Sequence, residues 1–242
     1  MRVDLFLVPG PVSEQRLTGK TLVLIDVLRA STTICRSLSS GAKAVIPVKK
    51  PGEAAEMRYK IGVDNTVLGG ERKGVRIENF THGNSPLEYN EETVAGKIVI
   101  LTTTNGTQLY SRAKHSKLAI TCGLVNISTV ASHLARAGND VAILCAGEEG
   151  DFSIEDSLCG GMIIHKLRFE FNLEPELNDA AALALLLYKS YSGNLQEAIA
   201  NGEHGRYLTE IGFAEDVGFA SRIDSIPVLP VLKDGRIVLA EN

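Results

Sequence analysis

Short apolar runs recur along this chain, and each gives way to a polar cluster and then to a helical pattern. Leu22 to Ile25 is the clearest. It has strand length and β-branched content, and it ends in Asp26 with Arg29 three residues later. A helix pattern follows from about Thr32 to Ser39, where Ser31 or Thr32 can serve as its cap. Ala44 to Val48 is the next strand, Glu53 to Lys60 the next helix, and Thr66 to Leu68 a third strand running into Gly69-Gly70-Glu71-Arg72. Strand, helix, strand, helix, strand implies parallel pairing with helical crossovers.

After the irregular stretch Lys73 to Pro86 the order recurs. Strands are predicted over Ile98 to Leu101, Leu118 to Thr121 and Val141 to Leu144, with a helix over Ser128 to Arg136. An offset of roughly 75 residues relates the two passages, the mark of an internal duplication. The expectation is a three-layer α/β fold with mainly parallel sheets, in two similar halves (1–95 and 96–242) packed around a shared site, with one compact unit as the alternative. Helices over Asp156 to Phe171, from Pro175 onward, over Leu195 to Ala200 and over His204 to Ile211 close the second half. A hairpin turning at Asp234-Gly235 ends the chain. Pro227 and Pro230 in its first arm predict an edge strand or a docking arm.

A net charge of −4 with 5% aromatic residues and no Trp gives neither a basic field nor a stacking surface, which argues against nucleic acid. Cys35, Cys122, Cys145 and Cys159 show no Cys-x-x-Cys spacing, so reduced, buried thiols are expected and zinc is disfavoured. Val3 to Val8 contains Asp4, and no apolar stretch reaches spanning length. The expectation is a cytoplasmic protein with no membrane partner.

Ligands of open parallel sheets sit outside the carboxyl ends of the strands. Asp26 and Arg29, Glu71 and Arg72, Thr103 to Thr107, and Glu148, Glu149, Asp151, Glu155 and Asp156 follow four such strands and would share one rim. An acid, a guanidinium and free helix N–H groups suit a metal ion and a phosphate oxyanion. The same Asp–Arg pair can simply steady a turn, and acids opening a helix can simply serve its dipole. Gly83-Asn84-Ser85-Pro86 places a cap before a proline at the first helical position, and Thr104-Asn105-Gly106-Thr107 is a similar helix-opening turn. No P-loop, dinucleotide fingerprint or Gly-x-Ser-x-Gly is present. Asp26 lacks the second Asp of an aspartyl-phosphate phosphatase, and no Cys has an Arg six residues on. His82, His115, His133, His165 and His204 lack metal spacing and are assigned to surface or structural roles, His82 in the rim loop being the one to test.

Four stretches together resemble the 2-phosphosulfolactate phosphatase family. They are Ile25-Asp26-Val27-Leu28-Arg29-Ala30-Ser31-Thr32-Thr33; Gly70-Glu71-Arg72 with Phe80 and Gly83-Asn84-Ser85-Pro86; Thr102-Thr103-Thr104-Asn105-Gly106-Thr107; and Cys145-Ala146-Gly147 with Glu155-Asp156. The resemblance covers about the first two thirds of the chain, and Asn79 departs from the glycine expected before Phe80. It implies a magnesium-dependent phosphatase converting 2-phospho-3-sulfolactate to 3-sulfolactate and phosphate, a step towards coenzyme M in methanogens.

On this basis Asp26, Glu71, Glu155 and Asp156 are the candidate catalytic carboxylates, with Asp26, Glu155 and Asp156 as Mg²⁺ ligands. Arg29, Ser31, Arg72, Asn84, Ser85, Asn105 and Thr107 are the candidate substrate-binding residues. Direct in-line attack by water is expected, since no nucleophile signature is present. Two other classes stand beside it: a non-catalytic module sensing phosphorylated or sulfonated small acids, and a phosphotransferase or lyase. The expected partner is a small phosphorylated sulfonate or hydroxy acid, and a homo-oligomer is compatible with the sequence.

Overall fold

Every residue of Thr21–Ile25 is buried, as a strand covered on both faces requires. The computed structural model describes residues 1–10 and 12–241, the side chains of 114 and 115 excepted. Its strands are β1 (Arg2–Phe6), β2 (Thr21–Ile25), β3 (Ala44–Pro47), β4 (Thr66–Arg72), β5 (Val75–Arg76), β6 (Ile98–Thr102), β7 (Leu118–Cys122), β8 (Val141–Cys145), β9 (Glu176–Leu177), β10 (Pro230–Lys233) and β11 (Arg236–Leu239). They form one sheet in the order β5-β4-β6-β3-β11-β10-β7-β2-β8-β1-β9.

Strands β4, β6 and β3 make one parallel block, and β7, β2, β8, β1 and β9 make another. The hairpin β10–β11 lies between them, antiparallel to both neighbours. It is therefore interior, where the prolines predict an edge. Pro230 opens β10 ahead of the Val231–Ile120 bridge, a position where a missing N–H breaks no ladder bond. Each block draws on both sequence stretches, since β2 lies between β7 and β8, and β6 between β3 and β4. The boundary at 95/96 does not divide the sheet.

Strand sense reverses across the hairpin, because every pairing from β3 through β11 and β10 to β7 is antiparallel. In a flat sheet the carboxyl ends of the two blocks would leave opposite edges. Here they meet: Asn105, after β6, donates to Glu148, after β8, at 2.8 Å. The polar loops thus face one another across a cleft, in place of the single rim expected.

The helices are α1 (Ala30–Ser39), α2 (Pro51–Ile61), α3 (Glu91–Val94), α4 (Gly106–Tyr110), α5 (Ile127–Ala137), α6 (Ile154–Phe169), α7 (Asp179–Tyr191), α8 (Leu195–Ala200), α9 (Glu203–Glu210) and α10 (Ala214–Ala220). Alternation along the strands sorts the layers. Val23, Ile25, Val141 and Ile143 pack with Val130 of α5, Leu158 and Ile163 of α6, and Leu185 of α7. Leu22, Leu24 and Leu144 pack with Ile34 and Leu38 of α1 and Leu109 of α4, in a cluster shared with Val45 and Val99 of the three-strand block. Ala54 of α2 packs on Ile46, Leu68 and Ile100. The result is a three-layer α/β fold.

Pro175 does not start a helix. Glu176–Leu177 pairs with β1, and the helix begins at Asp179, where Asn178 Oδ1 accepts from the Ala181 N–H at 3.0 Å. All four cysteines are free and buried. Among the described residues no helix is long and apolar enough to cross a membrane.

Candidate active site

The buried strand β2 delivers Asp26 to a cleft lined also by Leu28, Arg29, Glu71, Lys73, Gly74, Asn84, Thr103, Thr104, Asn105, Glu148, Glu149 and His204. Asp26 is buried, and its Oδ1 accepts from the Ala30 N–H at 3.1 Å, at the start of α1. Among the described residues Oδ2 has no hydrogen-bond donor. A Cβ built on Gly106 would collide with that oxygen and with Ala30 Cβ, so only glycine lets the β6 loop approach so closely. Burial pushes the Asp26 carboxyl up to about 7, with Glu148 and Glu71 adding to the rise and His204 and the Ala30 N–H opposing it. Ionised, it is a buried anion in want of a cation.

Ser31 does not line the cleft. Its hydroxyl accepts from the Asp26 N–H at 3.0 Å and reaches the Leu24 carbonyl at 3.4 Å, bracing the turn that carries Asp26. Neither Ser31 nor Thr32 caps α1, which starts one residue after Arg29 with no side-chain cap bond; Thr32 donates instead to the Val27 carbonyl at 2.8 Å.

Arg29 is buried and held on three sides. It donates to Asp216 Oδ2 at 2.8 Å and to the Gly74 carbonyl at 2.7 Å, and its guanidinium lies 4.3 Å from the centre of the Phe213 ring. Ser85 donates to the other oxygen of Asp216 at 2.6 Å, so it reaches the cleft only through that carboxylate. Asn84 lines the cleft with its Oδ1 buried and unpartnered. A buried amide oxygen without a partner is costly and marks a place for a bound donor or cation.

Strand β4 runs past Leu68 to Arg72 and turns back as β5, with Glu71 opposite Arg76 and Arg72 opposite Val75. Glu71 accepts from the Thr104 N–H at 2.7 Å, the Thr104 hydroxyl at 3.1 Å and the Gly74 N–H at 2.9 Å, tying this loop to the one after β6. Arg72 lies outside the cleft lining and donates to the Glu71 and Lys49 carbonyls and to Thr102 Oγ1. Consecutive strand residues point to opposite faces, which separates Arg72 from Glu71. Lys73 lines the cleft instead. It and Gly74 form the two-residue turn, with φ of 51° and 72°, a geometry that favours Asn or Gly at the first position.

Thr107 is buried and paired with Thr103. Its hydroxyl donates to the Thr103 carbonyl at 3.1 Å, and its N–H donates to Thr103 Oγ1 at 3.1 Å. Asp156 is also a brace. Oδ1 accepts from the Val27 N–H at 2.8 Å and Oδ2 from the Gly147 N–H at 3.1 Å, clamping the loops after β2 and β8 together. Burial, with Glu155 and Asp26 nearby, raises its carboxyl well above the usual range against those two donors.

Glu155 is buried and lines a neighbouring groove with His204. His204, assigned from sequence to a structural role, comes from α9 to line the cleft, its Nδ1 3.2 Å from Glu155 Oε1 and 3.4 Å from Glu148 Oε2. Burial alone would lower its pKa; the two carboxylates outweigh that and raise it. His82 is half-buried against Tyr89, outside the cleft lining, and the His115 side chain lies outside the described ones.

Asp26, Arg29, Glu71, Asn84 and Asn105 therefore come together in the cleft. Ser31, Ser85, Thr107 and Asp156 support its walls from behind, Arg72 turns away, and Glu155 stands in the adjoining groove. Lys73, Asp216 and His204 were not singled out from sequence. Among the described residues no three acid, histidine or cysteine side chains gather as a ready metal site. Magnesium commonly takes one or two carboxylates, keeps waters and bridges to a phosphate, and the chemistry of the Asp26 carboxylate and the unpartnered Asn84 oxygen, which line the same cleft, suits such a partial shell.

Fold and site define an α/β protein whose strand ends set a buried carboxylate and a clamped arginine in one polar cleft. A family model described as 2-phosphosulpholactate phosphatase matches residues 6–235. Proteins named "Probable 2-phosphosulfolactate phosphatase" are similar over nearly their whole length. That of Caldanaerobacter subterraneus subsp. tengcongensis is 39% identical over 231 residues, 96% of this chain and 95% of its own. That of Symbiobacterium thermophilum is 39% identical over 235 residues, 94% and 97%, and that of Clostridium beijerinckii 35% over 237 residues, 98% and 99%. The chain belongs to the 2-phosphosulpholactate phosphatase family, a family of phosphoric monoester hydrolases.

Proposed function

We propose that this chain is a magnesium-dependent phosphatase hydrolysing 2-phospho-3-sulfolactate, or a small phosphate monoester of similar charge, by direct attack of water. The supporting observation is the placing of Arg29 and Asp26 in one cleft. Arg29 is fixed by Asp216, Gly74 and Phe213, while Asp26 keeps Oδ2 without a donor among the described residues.

In the reaction a water oxygen forms a bond to phosphorus as the bond from phosphorus to the C2 oxygen breaks. A proton given up by the attacking water is matched by one taken up on the alkoxide oxygen, leaving 3-sulfolactate and inorganic phosphate. Arg29 holds the phosphoryl oxygens, and because it is fixed beforehand it needs no reorganisation as charge develops. Asn84 and Asn105 offer amide groups beside it. Asp26 is the residue that would hold magnesium, which supplies charge neutralisation and a more acidic bound water. Glu71 and Asp156 keep the loops in register, and His204 offsets the charge of Glu148 and Glu155.

The test is release of inorganic phosphate from 2-phospho-3-sulfolactate and a panel of phosphorylated hydroxy acids, with and without Mg²⁺. Magnesium-dependent release with water as sole co-substrate is expected. Tight binding with no release would point to a sensing module, and a trapped phosphorylated side chain would exclude direct attack by water.

A further inference from the structure

The cations lining the cleft are Arg29, Lys73 and His204. Arg29 is paired with Asp216, and His204 lies between Glu148 and Glu155. Lys73 is exposed, and among the described residues its ammonium has neither an ion-pair nor a hydrogen-bond partner. A lone cation facing a cleft rich in acids marks where an anion of the ligand belongs.

The backbone of the Lys73-Gly74 turn is held by three hydrogen bonds. Tyr207 donates to the Lys73 carbonyl at 3.0 Å, Arg29 to the Gly74 carbonyl at 2.7 Å, and the Gly74 N–H to Glu71 Oε2 at 2.9 Å. The turn thereby takes its position from Arg29 itself. A lysine at φ 51° also occupies a slot that Asn or Gly fills more easily, so it stands there at some cost to the turn. Lys73 further borders an outer groove with Glu148, Glu149, Glu203, His204 and Tyr207, where it is the one lysine or arginine of the lining.

We infer that Lys73 is the specificity residue of this site and binds the substrate's second, non-reacting anionic group. The inference rests on the proposed phosphatase activity. Sulfonate and carboxylate offer an ammonium the same charge chemistry, and the choice of substrates separates them.

Wild-type protein, Lys73→Asn and Lys73→Arg are compared on three substrates. These are 2-phospho-3-sulfolactate, 2-phospholactate, which lacks the sulfonate, and glycerol 2-phosphate, which has no second anion. Asn suits the positive φ, so the turn is kept while the charge is lost. Lys73→Asn is expected to raise KM for phosphosulfolactate about tenfold with kcat little changed, to leave glycerol 2-phosphate unaffected, and to be rescued by Lys73→Arg. A parallel rise with 2-phospholactate assigns the contact to the carboxylate, and none there assigns it to the sulfonate. Equal losses on all three substrates, or none on any, overturn the inference. If the wild type hydrolyses none of them, the activity itself is refuted. Calorimetric binding of 3-sulfolactate to the wild type and Lys73→Asn then decides the matter for Lys73: weaker binding by the variant supports the subsite, and equal or absent binding overturns it.

Discussion

Arg29 and Asp216 form a buried ion pair at 2.8 Å across 187 residues of chain. One end follows β2, and the other lies in the first turn of α10, so a C-terminal helix fixes where the guanidinium stands. Removing one partner of such a pair leaves an uncompensated buried charge. Asp216→Ala is expected to destabilise the protein by about 3–5 kcal/mol in urea unfolding, and a loss below 1 kcal/mol would show that solvent reaches Arg29.

Arg29→Lys keeps the charge but loses the planar fork that spans Asp216 Oδ2 and the Gly74 carbonyl. Phosphate ester hydrolysis should fall more than about tenfold, 1.4 kcal/mol or more of transition-state stabilisation. An unchanged rate would leave Arg29 with only the turn-steadying role.

Gly106→Ala places a methyl group against Asp26 Oδ2 and Ala30 Cβ. Overpacking of this kind costs about 1–3 kcal/mol, and here the strain falls on the cleft carboxylate. A lower melting temperature together with a larger drop in kcat is expected, and a silent substitution would mean that the β6 loop yields freely.

The buried strands were legible because a strand covered on both faces reads as an unbroken apolar run, as in Thr21–Ile25 and Val141–Cys145. Asp26, Glu71, Asn84 and Asn105 were legible because each follows a strand end in polar, turn-rich sequence. Lys73 is not legible in sequence, because Thr66 to Leu68 alone reads as strand, whereas the strand runs on to Arg72 and its alternation separates Glu71 from Arg72. Nothing near His204 or Asp216 in sequence marks them. Their partners are 49 to 187 residues distant, and only tertiary packing assembles them. The interior place of the hairpin was hidden for a related reason, since local proline chemistry fixes which N–H is missing but not which strand lies alongside.

Stability towards acid should depend on Asp4. Burial pushes its carboxyl up, but Lys20 at 2.6 Å and Arg2 at 3.0 Å outweigh that and hold it below the usual 3.8. The unfolded chain takes up this proton before the folded one does. The contribution is therefore complete above about pH 4 and is lost as pH falls through the folded-state value. Asp4→Asn should cost about 1–3 kcal/mol at pH 7, and the gap to the wild type should narrow below pH 4. A gap that stays constant with pH would assign the cost to packing alone.

The most direct measurement is release of inorganic phosphate from 2-phospho-3-sulfolactate by the wild type and by Asp26→Asn as magnesium is titrated. The wild type is expected to be magnesium-dependent and silenced by a chelator, and Asp26→Asn to lose at least about a hundredfold in kcat/KM at saturating metal, near 2.7 kcal/mol. Undiminished, magnesium-dependent release by Asp26→Asn would contradict the role given to the carboxylate at the end of β2.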